Sequence, residues 1–126
     1  MSAPDRFLWI LKERFDARLL AKILKRLDVA NISVLDVGGG SGYMLNVIRK
    51  IDRRVNHTHI IDFDQKAREI ALSNGHEFTN TTIEKAKITK SYDLALMLNL
   101  IEHVEDPLLV LKKLFTNIFL LIQTIW

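Results

Sequence analysis

The 126-residue sequence contains no cysteine. A disulfide framework, a thiolate metal site and a cysteine nucleophile are therefore excluded, and the composition fits an intracellular, cytoplasmic protein. Proline occurs only at Pro4 and Pro107, each where a helix is expected to begin. Glycine is scarce too, and four of the five glycines lie between residues 38 and 42. No apolar run approaches the ~18–20 residues that a membrane-crossing helix needs. Lys12, Glu13 and Arg14 interrupt the N-terminal apolar stretch, so neither a signal peptide nor a membrane partner is expected. There is no repeat and no low-complexity tract. His57, His59 and His76 lack metal-ligand spacing with carboxylates, and no metal site is expected.

Apolar side chains, by contrast, make up 48% of the sequence, enough for a layered core in one domain. The formal net charge of +3 is concentrated in residues 1–30. That stretch holds Arg6, Lys12, Arg14, Arg18, Lys22, Lys25 and Arg26 against Asp5, Glu13, Asp16 and Asp28. A solvated helix face accounts for the excess. No second basic stripe supports a nucleic-acid partner.

Residues 5–27 read as one long amphipathic helix or two shorter ones, with Leu8, Leu11, Phe15, Leu19, Ile23 and Leu27 at helical steps. This N-terminal segment, 1–30, precedes a domain over 31–126. Ser33–Val37 is the first expected strand, and a helix follows over 42–51. Thr58–Ile61 is a second strand, and a helix from Asp64 or Gln65 stops at Asn74-Gly75, with Ala67, Ile70 and Ala71 facing inward. Glu77–Ile83 and Tyr92–Leu98 are the third and fourth strands. Asp106 and Pro107 open a further helix as cap and first residue, with Leu108, Leu111, Leu114 and Phe115 inward. Ile118–Gln123 is the fifth strand. Strands alternating with helices predict a doubly wound, mainly parallel sheet with helices on both faces, and a crevice at the carboxyl ends of strands one and four.

The most informative stretch is Val34-Leu35-Asp36-Val37-Gly38-Gly39-Gly40-Ser41-Gly42-Tyr43. An apolar strand runs into an acid, then a glycine cluster, then a helical pattern. Such a loop leaves backbone bare for a ligand and turns the N–H groups of the next helix towards it. The dinucleotide pattern G-x-G-x-x-G fails here, because Tyr43 would take the third glycine's place. The run is D-x-G-x-G-x-G instead, and it resembles the first motif of class I S-adenosylmethionine-dependent methyltransferases. The block from Tyr92 through Leu98, Asn99, Glu102 and His103 to Asp106-Pro107 resembles the fourth-strand region of members that act on small molecules.

The resemblance covers residues 31–123 and implies a Rossmann-like fold that binds S-adenosylmethionine and releases S-adenosylhomocysteine. It implies a cofactor loop of Gly38, Gly39, Gly40 and Gly42, and a ribose contact at Asp62. Asp64 is the neighbouring acid, better placed to cap a helix. Phe63 can pack on an adenine face or enter the core. Asp36 is implied near the loop and the methionine end of the cofactor, and it can also hold the loop by accepting backbone N–H groups. Leu98 and Asn99 fall where the family approaches the transferred methyl group. His103 is either a general base or a residue tying its turn to the next helix.

Two departures stand out. The acid that binds the adenine amino group in the family is missing, leaving Thr82, Glu84 or backbone groups as substitutes. The family's last two strands are also absent, so a sheet of about five strands is expected. The fifth strand would then present an open apolar edge, and a homo-oligomer through 118–126 is expected from it. The resulting expectation is methyl transfer to a small-molecule acceptor. The alternatives are a non-catalytic module that binds the cofactor or its product, and an NAD- or nucleotide-binding enzyme, which the glycine spacing disfavours.

Overall fold

The computed structural model describes residues 7–11, 17–98 and 104–124. In chain order the elements are β1 (Phe7–Leu11), α1 (Ala17–Leu24), β2 (Ile32–Val37), α2 (Tyr43–Ile51), β3 (Val55–Asp62), α3 (Gln65–Ser73), β4 (Glu77–Asn80), β5 (Tyr92–Met97), α4 (Pro107–Phe115) and β6 (Ile118–Thr124). The strands form one sheet in the order β1-β6-β5-β2-β3-β4, and every neighbouring pair is parallel. From β2 the chain winds outward through β3 to β4. It then returns to the other side of β2 for β5 and β6. The switch lies between β2 and β5, where open sheets of this kind hold ligands.

Alternation along the central strands builds two apolar layers. Ile32 and Val34 of β2 point to one face with Ile60, Leu94 and Leu96. Leu20, Ile23 and Leu24 of α1 cover them, with Leu45 and Ile48 of α2 and Ala71 of α3. Leu35 and Val37 point to the other face with Ile61, Ala95 and Met97, beneath Val110 and Leu114 of α4. Ile83 and Ala86, in the segment expected as the end of a strand and a polar loop, complete this second layer. Truncating a fully buried leucine here to alanine costs roughly 2–5 kcal/mol.

The five expected strands and the helices between them are present. The N-terminal segment differs, because Phe7–Leu11 is a strand where the spacing predicts helix. Five apolar residues in a row satisfy a strand as well as a helical stripe, and the sheet offers them an edge. β1 pairs with β6 from Phe7 opposite Leu120 to Leu11 opposite Thr124. The edge of the Ile118–Thr124 strand is therefore paired within the chain, which removes the open edge from which self-association was expected. Two inward assignments also change. Ile70 is 54% exposed, since Ala67 and Ala71 give α3 its buried face. Leu108 is 62% exposed, since Val110 and Leu114 supply that of α4.

Polar ties fix the ends of these elements. Arg54 donates to the carbonyl of Leu24 at the end of α1 and to those of Leu27 and Val29 beyond it, and its guanidinium pairs with Asp52 at 2.8 Å. Asp93 of β5 accepts from the backbone N–H of Ser33 at 2.9 Å.

The tie beneath α2 matters most for the loop before it. His76 is 2% exposed. Its Nε2–H donates to Asn46 Oδ1 at 2.8 Å, and the Thr58 hydroxyl donates to its Nδ1 at 2.6 Å. Arg49 donates to the same Asn46 oxygen and to the carbonyl of Asn74. Gly42, the N-cap of α2, lies on the imidazole with φ +90°, and a Cβ there would meet His76 Cδ2 at 2.5 Å. The start of α2 thus rests on a neutral ring.

Burial lowers the His76 pKa from 6.5 to about 4, and Arg49 adds to the effect. The unfolded chain takes up that proton first, so this group's stabilisation is complete above pH 6.5 and is lost as pH falls towards 4. The advantage of the wild type over His76→Phe should shrink by about 2–3 kcal/mol across that range in denaturant titrations. A constant difference between the two proteins would show that His76 is not held neutral. Gly42→Ala should cost about 2 kcal/mol or more, from positive φ and overlap with the ring, and less in a His76→Ala background. Additive costs would contradict the contact.

Candidate cofactor site

β2 delivers Asp36 and Val37 to the carboxyl edge of the sheet, and the glycine loop turns back over them. Gly39 packs so closely above Asp36 that a Cβ would overlap the carboxyl group. Gly40, with φ +58°, faces open space on its outer side. No side chain caps α2, so its first N–H groups face the loop.

Asp62, at the end of β3, holds this loop. Its Oδ2 accepts the Gly40 N–H at 2.8 Å and its Oδ1 accepts the Asp64 N–H at 2.8 Å. Each oxygen keeps a further lone pair for a ligand hydroxyl. Asp64 caps α3 by accepting from the Lys66 N–H, as its position in the sequence indicated.

The loop-holding role read for Asp36 therefore falls to its neighbour. Asp36 is 3% exposed, and among the described residues no donor reaches its carboxyl group. Burial, reinforced by the charge of Asp62, raises its pKa to about 7.

Beside Asp62 is a cavity of about 140 Å³, lined by Gly38, Phe63, Thr82, Glu84 and Val104 among others. Phe63 is 75% exposed and stands at its rim instead of in the core. Thr82 and Glu84, the two substitutes for the missing acid, both line it. Leu98 follows the carboxyl end of β5 and packs against the first apolar layer. Asn99 and His103 lie outside the described residues.

The topology thus brings Asp36, the four glycines, Asp62, Phe63 and Leu98 to one edge of the sheet. The sequence did not single out His76. Its partners Thr58 and Asn46 lie 18 and 30 residues away, and only the fold assembles them. The one local signal was its place directly after the Asn74-Gly75 stop. Together the groups offer an apolar ring wall, a carboxylate with spare acceptor capacity and bare backbone. No helix among the described residues is long and apolar enough to cross a membrane.

A family profile described as a methyltransferase domain matches residues 11–124. No curated protein matches the sequence. Among solved structures, the chain resembles the plantazolicin methyltransferase BpumL in complex with SAH, at 24% identity and a TM-score of 0.67. The alignment covers 79% of this chain and 40% of that one. Coclaurine N-methyltransferase bound to N-methylheliamine and SAH aligns at 20% identity and a TM-score of 0.63, over 87% of this chain and 37% of that one. An S-adenosylmethionine-dependent methyltransferase from Mesorhizobium loti aligns at 18% identity and a TM-score of 0.65, over 82% and 49%. The chain thus spans less than half the length of each of these structures. Their likeness establishes the fold, and the profile match, which runs from the last residue of β1 to the end of β6, establishes the family. The chain belongs to the class I S-adenosylmethionine-dependent methyltransferases, as a methyltransferase domain.

Proposed function

We propose that this domain binds S-adenosylmethionine at the glycine loop and supports methyl transfer to a small-molecule acceptor. The observation that carries the reading is the position of Asp62. It pins Gly40 with one oxygen, keeps acceptor capacity, and stands between the bare loop and the cavity rimmed by Phe63. A purine entering that cavity would lie against Phe63, with Thr82 and Glu84 at its edge. Its ribose would meet Asp62. The methionine portion would pass over Gly38, Gly39 and Gly40 towards Asp36 and Leu98, with Asn99 next in sequence.

When bound, the cofactor supplies an activated methyl group on a sulfonium, already a good leaving group. The protein's own contribution is to hold the reacting atoms in line and dry, and such positioning can supply several kcal/mol of the barrier. The Asp62 carboxylate and the Gly40 N–H fix the loop, while His76 fixes α2 beneath it. A strong base is not a requirement of this chemistry. His103 is the candidate base where the acceptor is a hydroxyl or an amine, and His103→Ala would then lower the rate with little change in cofactor affinity.

Calorimetry with S-adenosylhomocysteine and with NAD tests the reading. The first ligand should bind and the second should not. Asp62→Ala should weaken S-adenosylhomocysteine binding at least tenfold, because hydrogen bonds to a charged group contribute roughly 1.5–3 kcal/mol each. Unchanged affinity would show that the ribose lies elsewhere. Phe63→Ala should cost about 1–2 kcal/mol of affinity through lost ring stacking. No loss would remove Phe63 from the site.

A further inference from the structure

The segment between β4 and β5 brings Thr82 and Glu84 to the cavity, yet little of its backbone is tied to the sheet. The Thr81 N–H donates to the carbonyl of Asp62. The N–H groups of Lys85 and Ala86 both donate to the carbonyl of Thr82, which closes a turn over 82–86. Further ties come from the far end of α4 and the turn after it. Lys113 Nζ donates to the carbonyls of Ile83 at 2.9 Å and Glu84 at 3.0 Å, and Asn117 Nδ2 donates to that of Ile88 at 2.9 Å. Lys113 has no carboxylate partner among the described residues. Its ammonium is spent on two backbone oxygens, whereas the adjacent Lys112 is exposed.

These two bonds set the orientation of the turn. In a trans peptide the C=O and the N–H point in opposite directions. With the Ile83 carbonyl on the ammonium, the Glu84 N–H points away from Lys113. With the Glu84 carbonyl held as well, the Lys85 N–H stays on Thr82. Neither the Glu84 N–H nor that of Ile83, which is buried, has an acceptor among the described residues. Buried N–H groups without a partner are rare in folded proteins. Glu84 lines both the cavity beside Asp62 and a second hollow along α4, and Lys113 lines only the second. The ammonium therefore lies behind the turn, and the free N–H of Glu84 lies on the cavity side.

We propose, on the reading of this cavity as the purine pocket, that Lys113 is a positioning residue for base selection. By holding the Ile83 and Glu84 carbonyls it aims the Glu84 N–H at the ring nitrogen N1 of the purine. Adenine presents a lone pair at N1 and accepts that hydrogen bond. Hypoxanthine carries a hydrogen at N1, so two donors would meet. A backbone N–H held in this way selects adenine without the acid that the sequence lacks after its third expected strand. Lys113 does not touch the ligand and acts only through the peptide it orients.

The test compares S-adenosylhomocysteine with S-inosylhomocysteine by calorimetry. The wild type should bind the adenine ligand about tenfold tighter. Lys113→Met keeps most of the stem and removes the ammonium. It should cut that preference about fivefold, chiefly by weakening the adenine ligand. Lys112→Met removes the same charge one residue away and should keep the wild-type preference. Three results would overturn the proposal: an unchanged preference in Lys113→Met, an equal loss of affinity for both ligands there, or the same loss of preference in Lys112→Met. Amide NMR of the wild type decides the matter if Lys113→Met folds poorly. The Glu84 N–H resonance should move downfield as S-adenosylhomocysteine saturates the chain, and an unmoved resonance would overturn the proposal by itself. In each of these outcomes S-adenosylhomocysteine still binds, and the cofactor site stands. Failure of S-adenosylhomocysteine to bind the wild type would overturn the site and the proposal together.

Discussion

One hydrogen bond organises this domain's working edge, the 2.8 Å bond from the Gly40 N–H to Asp62. It ties the loop after β2 to the end of β3, two parallel neighbours 22 residues apart at this point. Being charge-assisted, it is stronger than an ordinary backbone bond. Around it, the glycines are set by what lies beneath them. Asp36 occupies the space where Gly39 would carry a Cβ, and His76 occupies the space under Gly42. The loop is therefore held from the side by one acid and supported from below by another acid and a neutral imidazole. Its outer surface at Gly40 stays bare.

Those two buried titratable groups respond to pH in opposite directions. His76 is held neutral, so acid removes its contribution. Asp36 is held protonated, so its contribution is complete below pH 3.8 and fades as pH rises towards 7. Between about pH 4 and 6.5 the two slopes oppose one another. The apolar layers on either side of the sheet contribute without regard to pH. The electrostatics of the edge can therefore be set for a ligand without making the whole fold acid- or base-labile.

Much of this was legible in the chain. The Val34–Tyr43 stretch announced its strand, loop and helix because the acid, the glycine spacing and the change from an apolar strand to a helical pattern all agree there. Asp106 and Pro107 announced α4 through the chemistry of capping, which is local. Asp62 stands at the end of a short strand in the sequence, and the family resemblance marks it as the ribose contact. That Asp62 and not Asp36 holds the loop was not legible, because it depends on how far β3 extends beyond β2. β1 is not legible locally, because Phe7-Leu8-Trp9-Ile10-Leu11 suits a helical stripe as well as a strand, and the sheet edge that decides the matter is more than a hundred residues away. His76 escaped notice for a similar reason: its partners come from two other elements.

The central claim is that Asp62 and the glycine loop hold the adenosine part of the cofactor. A crystal structure of the chain with S-adenosylhomocysteine tests it most directly. The account predicts both ribose hydroxyls within hydrogen-bonding distance of the Asp62 carboxylate, the purine against Phe63, and the Gly40 N–H still bonded to Asp62. A ligand seated away from the carboxyl ends of β2 and β3, or a ribose that leaves Asp62 untouched, would contradict it.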